Sequence, residues 1–279
     1  HANEIIADLL QQSRNDDRAA LGAAQLLQQV GRLDDAKRVL RERIDRAGAD
    51  ATAGMWVDLG RVAVASRDAE TASEAFTRAL ELQNPQTREV DRELARLFMA
   101  LAVEENPGPN FQTAEKHLRS VLDGNPGDRQ AMIDLAQCLL QRVARQAADV
   151  RALDEAEQVL TRALANGDDP QALLLKAQLE LMRAEQTART GTVSRDETWT
   201  IVVNAVNRAR PILAAARQAQ GNSFNANIPA TEARMLYGAW ATAPNRDTNE
   251  TAQRMMTEAD AVLDEALARQ PDSWELVAL

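Results

Sequence analysis

The sequence predicts an all-α protein built from helical hairpins, and three observations support this prediction. Only 3% of the 279 residues are aromatic, whereas alanine is abundant throughout. Closely packed helices suit this composition better than β-sheets, which favour aromatic and β-branched residues. Apolar residues recur at helical spacing rather than in strict alternation. Related segments also recur at intervals typical of helical repeats.

Small residues mark the repeated segments. An apolar residue stands four positions after each marker, and another stands three positions further on in every segment except at Arg43. The first intervals are close to the period of about 34 residues expected of one helix–turn–helix repeat. The later intervals are longer, which predicts longer loops or helices there. The markers are Ala2, Ala36, Ala72, Ala114, Ala156, Ala209 and Ala259.

Helix-breaking residues separate these segments. Proline ends a preceding helix, and a nearby Asp or Ser can cap the next one. Such breaks occur at Asn84-Pro85, at Asn125–Asp128, at Asp169-Pro170 and at Pro271–Ser273, and Gly31 is expected at a tight turn. We expect loops from Thr190 to Asp196 and from Gly221 to Pro229. Pro211 lies within a helical pattern and is expected to kink or restart that helix.

One segment resembles a known repeat family, the tetratricopeptide repeat (TPR). One helix carries Trp, Leu and Gly, the next carries Ala, Phe and Ala, and a proline follows. The residues are Trp56, Leu59, Gly60, Ala72, Phe76, Ala79 and Pro85. The resemblance implies a right-handed TPR-like α-solenoid of about six antiparallel helix hairpins with partial repeats at both ends. It also implies that Gly60 faces Ala72 within its hairpin, beside Trp56 and Phe76.

The resemblance predicts one repeat domain over residues 1–279. Regular repeats are expected at 18–169, divergent and longer hairpins at 170–271, and the start of a truncated repeat at 272–279. At the other end, Ala2, Ile6 and Leu9 are interpreted as a second helix whose first helix is missing. We therefore expect the parent protein to carry more repeats on at least one side.

Charge and hydropathy exclude several classes of partner. The formal net charge is −10, and the sequence has no basic block that could neutralise a run of phosphates, which argues against nucleic-acid binding. No apolar run reaches the roughly 18 residues needed to cross a bilayer, so no membrane insertion is expected. Arginine far exceeds lysine, which favours a bacterial source. We expect a soluble protein of the cytoplasm or periplasm.

Residues with catalytic or metal-binding chemistry are sparse. The sequence contains no phosphate-binding glycine loop, no paired metal-ligand spacing and no Gly-x-Ser-x-Gly motif. His117 is interpreted as a structural histidine and Cys138 as a small core residue. Acidic pairs such as Asp34-Asp35 are interpreted as helix-end charges. We therefore predict no cofactor, no metal and no enzyme activity.

The family resemblance also implies a set of residues that line the concave groove. They lie on the first helix of each hairpin, one and five places after the large residue. Some TPR proteins grip a carboxylate there with a Lys/Asn/Arg clamp, and this sequence departs from that pattern because Arg61 is the only matching cation. The positions are Leu21, Gln25, Val57, Arg61, Met99, Val103, Ile133, Gln137, Leu175 and Leu179.

These positions are mainly apolar and permit two interpretations. An exposed apolar groove is typical of a site that binds a helix or an extended peptide. Alternatively, longer hairpins fill the groove and the residues are simply core. The first interpretation predicts a non-enzymatic scaffold for a protein or peptide ligand. A regulatory or targeting segment of a larger enzyme or of a secretion-assembly protein is an alternative function, and self-association through the terminal repeats is another.

Overall fold

The computed structural model describes residues 17–104, 107–146, 150–190 and 193–277, together with Ile5, Asp8 and Gln11. The structure is 83% helical, and the described residues contain no β-strand. The helices pack in adjacent pairs, so the predicted all-α, TPR-like solenoid class is confirmed. The proposed second helix with Ala2, Ile6 and Leu9 falls outside the described residues.

The helices follow one another through short connections. They are α1 (Asp17–Gln29), α2 (Leu33–Ala47), α3 (Ala53–Ala65), α4 (Ala69–Leu82), α5 (Glu89–Glu104), α6 (Pro107–Gly124), α7 (Arg129–Gln146), α8 (Val150–Leu164), α9 (Pro170–Thr190), α10 (Arg195–Ala219), α11 (Asn227–Thr242), α12 (Glu250–Arg269) and α13 (Trp274–Val277). A single 3₁₀ turn, Gly48–Asp50, precedes α3. Odd-numbered helices up to α11 are the first helices of their hairpins.

The chain divides into two compact units. The first contains His1–Glu104 and Lys116–Gly127, and the second contains Glu105–Glu115 and Asp128–Leu279. Helix α6 therefore contributes its beginning to the second unit and its end to the first. Helices α1–α5 belong to the first unit, and α7–α13 belong to the second.

The first unit begins with two short hairpins, α1/α2 and α3/α4. Gly31, with φ +77°, makes the turn between α1 and α2, as predicted, because a residue without Cβ adopts this conformation without strain. The hydroxyl of Thr52 accepts a hydrogen bond from the N–H of Met55 at the start of α3. The carboxylate of Asp68 likewise caps α4 by accepting from Thr71. These caps satisfy N–H groups that have no partner within the helix.

Gly60 provides the tight contact between α3 and α4. A Cβ added at Gly60 would lie 2.3 Å from a ring carbon of Phe76. Glycine is therefore favoured here, because the ring of Phe76 fills the space that a larger side chain would occupy. Phe76 supplies the atoms nearest to this position, as the resemblance implied, and the expected contact between Gly60 and Ala72 stays a prediction. Trp56 and Phe76 pack against one apolar cluster that includes Val57 and Val90.

The second unit contains longer hairpins. Its core joins α9, α10, α11 and α12 through residues that include Leu174, Leu213, Leu236 and Leu263. Pro211 lies inside the 25-residue helix α10, which continues through it. The missing N–H of a proline leaves one carbonyl of the preceding turn without its usual donor.

The predicted loops of the second unit are only partly correct. Helix α9 continues to Thr190, and α10 begins at Arg195 after the cap at Ser194, so the loop is shorter than expected. Helix α11 begins at Asn227, so the loop expected to reach Pro229 ends earlier. A proline is tolerated in the first turn because the N–H groups there lack intrahelical partners.

Candidate protein-binding groove

A groove runs across the first helices of three consecutive hairpins in the first unit. It encloses a cavity of about 550 Å³ between α1, α3 and α5. We call it the first-helix groove. Its lining residues are Gln28, Arg61, Val64, Ala65, Glu93, Arg96, Leu97, Ala100 and Leu101.

Apolar side chains form the floor of the first-helix groove. Val64, Leu97 and Leu101 are half-buried, and Ala65 and Ala100 are exposed. Positions 64 and 65 lie one turn after Arg61, and positions 97, 100 and 101 follow Glu93 at helical spacing. One stripe of each helix therefore faces the cavity.

Three charged side chains form one network in the groove. The carboxylate of Glu93 accepts a hydrogen bond from Arg61 of the neighbouring first helix. Its other oxygen lies 3.2 Å from an Nη of Arg96. Two guanidinium groups therefore share one carboxylate beside an apolar floor.

A smaller cavity of about 230 Å³ continues the groove between α3 and α5. Arg61 and Glu93 line both cavities, so their ion pair lies at the boundary between them. The smaller cavity adds Asp58, whose pKa is raised by burial. The charges of Arg43 and Arg61 lower the pKa of Asp58, but the effect of burial is larger. Arg43 lies 3.6 Å from the Asp58 carboxylate.

The predicted groove residues fall into different environments. Gln25 and Arg61 are exposed, and Leu21, Met99 and Gln137 are half-buried. Four predicted positions are buried, namely Val57, Ile133, Leu175 and Leu179. The side chain of Val103 lies outside the described residues. Arg61 is the one predicted position that lines the larger cavity, while Val57 and Arg61 both line the smaller one.

Sequence reasoning missed all of the α5 residues that line the two cavities. It took Phe98 as the large repeat residue and therefore selected Met99. In the structure Val90, Leu94 and Ala95 are buried, whereas Glu93 and Leu97 face the groove. The signal was present in the sequence, because Val90, Leu94, Leu97 and Leu101 recur at helical spacing.

Asp91 is the centre of a second polar cluster, located between α4, α5 and α6. Its carboxylate lies 2.7 Å from Nδ1 of His117 and accepts hydrogen bonds from Ser120 and Gln83. Burial raises the pKa of Asp91, but these hydrogen bonds outweigh burial and hold the pKa below its ordinary value. Phe98 stacks on the ring of His117.

The hydrogen bonds around Asp91 differ from those of a catalytic triad. A serine nucleophile must hydrogen-bond to the imidazole that removes its proton. Here Ser120 donates to Asp91, at 2.8 Å. The cluster therefore joins helices through one buried carboxylate and does not form a hydrolytic triad.

The described residues also bear on thiol reactivity, metal binding and membrane spanning. Cys138 is buried and its Sγ lies 3.6 Å from the carbonyl oxygen of Phe111. Within the part of the chain that the structure describes, no group of three or more His, Cys, Asp or Glu side chains could hold a metal ion. None of the described helices is long and apolar enough to cross a membrane.

Comparison with known proteins agrees with the hairpin architecture. Residues 32–151 match the family described as "Cytochrome c-type biogenesis protein H TPR domain". This match and the paired helices support a protein of the tetratricopeptide repeat type. Proteins of this superfamily are typically non-enzymatic scaffolds. No curated protein matches the chain.

Several solved structures share the fold. The C-terminal part of a TPR repeat-containing protein from Cytophaga hutchinsonii is 14% identical, with a TM-score of 0.55 over 99% of this chain and 92% of that one. PilW, a type IV pilus biogenesis factor, is 14% identical, with a TM-score of 0.54 and coverage of 94% and 96%. PilF from Pseudomonas aeruginosa is 15% identical, with a TM-score of 0.50 and coverage of 96% and 97%. At these identities the similarity concerns the fold alone.

Proposed function

We propose that this chain is a non-enzymatic scaffold that binds a protein segment in the first-helix groove. The observation that carries the proposal is the continuous cavity on the first helices α1, α3 and α5, with an apolar floor and an open side. Exposed apolar surface of this kind is typical of sites that bind a helix or an extended peptide.

The chemistry of the lining favours a polypeptide ligand. Leu97, Leu101 and Val64 provide apolar contacts, while Gln28, Arg61 and Arg96 provide hydrogen-bond donors at the edges. Binding sites commonly combine an apolar surface with a few polar groups that fix orientation. A protein segment carries both kinds of group.

The proposed binding site contains fewer of the residues that the sequence predicted. We retain Arg61 as its central residue and Gln25 and Leu21 as flanking positions on α1. Val57, Ile133, Leu175 and Leu179 are buried, so a partner could reach them only if helices moved apart. Met99, Gln137 and Val103 remain untested predictions.

A displayed library of random peptides would test the proposal directly. The chain is used as bait, and enriched peptides are expected to lose binding to the Ala100→Asp variant, which places a charge on the exposed groove surface. The matched control is Ala261→Asp on helix α12, where an equally small exposed residue changes outside the groove. Circular dichroism checks that both variants remain helical. If no peptides are enriched, or if Ala100→Asp leaves their binding intact, the groove is not the binding site.

The family match supports a narrower candidate function. Residues 32–151, which include α2–α7, match the TPR domain of a cytochrome c-type biogenesis protein. On this basis the scaffold would act in the biogenesis of c-type cytochromes. In a strain lacking the gene, haem staining of c-type cytochromes is expected to fall and to recover with the wild-type gene but not with Ala100→Asp. Unchanged cytochrome content in the deletion strain would contradict this role.

A further inference from the structure

The charge arrangement in the first-helix groove identifies a chemical class of ligand. Arg61 and Arg96 both pair with the carboxylate of Glu93. The larger cavity therefore has two cationic groups and one anionic group in its lining. Each guanidinium has several N–H donors, and one carboxylate cannot occupy all of them.

Solvent exposure leaves both guanidinium groups accessible. The side chains of Arg61 and Arg96 are 47% and 52% exposed, whereas that of Glu93 is 28% exposed. The apolar side chains of Leu97 and Leu101 lie in the same lining. An incoming carboxylate could therefore meet the arginines while neighbouring apolar side chains contact the floor.

We propose that the groove selects an amphipathic protein segment that presents an acidic side chain to Arg61 and Arg96 between apolar side chains that contact Leu97 and Leu101. The inference rests on the proposed function, and it adds the charge of the ligand. Glu93 acts as an internal competitor, because it occupies the same guanidinium groups in the free protein. Charge-assisted hydrogen bonds between guanidinium and carboxylate have the geometry that such recognition needs.

Three synthetic peptides serve as probes. They are short, amphipathic, N-acetylated and C-amidated, so their termini carry no charge. They share their leucines and differ at one central residue, which is glutamate, glutamine or lysine. Chemical-shift changes of the isotope-labelled chain report weak affinities. We expect the glutamate peptide to bind about two- to fivefold more tightly than the glutamine peptide, as for a solvent-exposed ion pair. The lysine peptide should bind most weakly.

Two variants separate the roles of the charged residues. Arg96→Ala should reduce the preference for the glutamate peptide over the glutamine peptide, because Arg61 alone would remain to meet the carboxylate. Glu93→Gln should raise the affinity for the glutamate peptide by about twofold or more. The substitution removes the carboxylate that competes with the peptide for both arginines. This gain of affinity is a result that simple structural damage would not produce.

Arg78→Ala is the matched control. Arg78 is 59% exposed and pairs with Glu81 three residues away, much as Arg96 pairs with Glu93, but it lies on the second helix α4. Its loss should leave all three affinities unchanged.

The possible outcomes separate this inference from the proposed function. Equal affinities of the three peptides, all abolished by Ala100→Asp, would overturn the acidic preference and leave the groove as the binding site. No binding of the glutamate peptide would also overturn the inference. The displayed library tests the groove independently, because its random peptides carry no assumption about charge.

Discussion

The same repeat position has opposite environments in the two units. Arg61 on α3 of the first unit is exposed and lines the first-helix groove. Leu179 holds the corresponding predicted position on α9 of the second unit and is only 1% exposed. Repeat position alone therefore does not determine whether a residue can meet a partner.

Helix length explains part of this difference. Helix α3 has 13 residues, whereas α9 has 21 and contacts α7, α8, α10 and α11. Gln178 of α9 also donates a hydrogen bond to the buried hydroxyl of Thr231 on α11. The first helices of the second unit thus bury one another at a position where those of the first unit leave a cavity. The interpretation that longer hairpins turn groove positions into core fits the second unit.

The largest effect should come from a buried ion pair of the second unit. Glu115 and Arg142 lie 2.6 Å apart, and their side chains are 6% and 16% exposed. Removing Arg142 weakens the compensation of the buried Glu115 carboxylate, so Arg142→Met should lower the free energy of unfolding by up to about 3–5 kcal/mol. Urea denaturation measures this loss. The double variant Glu115→Leu/Arg142→Met should recover much of it, and an equally unstable double variant would contradict the explanation.

The next effect tests the two equivalent repeat positions directly. Leu179→Ala should cost about 2–5 kcal/mol, because it creates a cavity in a packed core. Arg61→Ala should cost no more than about 1 kcal/mol, because it removes an exposed ion pair. Hydrogen exchange followed by mass spectrometry should show faster exchange around α9 in the first variant only. Similar losses in the two variants would mean that the units do not differ in this way.

A smaller effect is expected at the contact between α3 and α4. Gly60→Ala should cost roughly 1–3 kcal/mol, because the new methyl group overlaps the ring of Phe76. Gly22→Ala on α1 is the control, since a Cβ there meets no atom within 4 Å. That control should instead gain about 0.5–1 kcal/mol through better helix propensity. Thermal unfolding compares both variants, and a neutral Gly60→Ala would show that Phe76 moves freely.

The smallest effect should be a change in the pH dependence of stability below about pH 4, caused by Asp91 of the first unit. A carboxyl whose pKa is lower in the folded chain than in the unfolded chain stabilises the fold while it is ionised. This contribution is present above the unfolded pKa of about 3.9 and is lost as the pH falls through the lower folded value. Arg88, 3.6 Å away, and His117 also face this carboxylate. Asp91→Asn should therefore flatten the dependence of unfolding free energy on pH below about 4. An unchanged slope would assign the acid sensitivity to other carboxylates.

Much of the fold could be predicted because small and large side chains have fixed roles in hairpin packing. Trp56, Gly60, Phe76 and Ala79 were sufficient to identify the family, and Gly31 was correctly placed at a turn. Loop boundaries were less accurate, since a proline such as Pro229 can end one helix or lie in the first turn of another.

The groove could be predicted only in part. Arg61 was found because it follows Trp56 at the expected distance, whereas Glu93 and Leu97 were missed because Phe98 was taken as the anchor of α5. Phe98 instead stacks on His117, a contact between residues distant in sequence. Burial of Leu179 depends similarly on neighbouring helices. Such tertiary contacts determine helix phase and exposure, and one sequence does not reveal them.

The Asp91 cluster limits how modular this repeat protein can be. Its single carboxylate holds Gln83 at the end of α4 and both His117 and Ser120 on α6. A hairpin excised or transplanted at this point would separate this ionised group from Gln83, a donor that belongs to the preceding repeat. Insertion or loss of a repeat would thus be tolerated elsewhere more readily than across residues 83–120, where neighbouring repeats must change together.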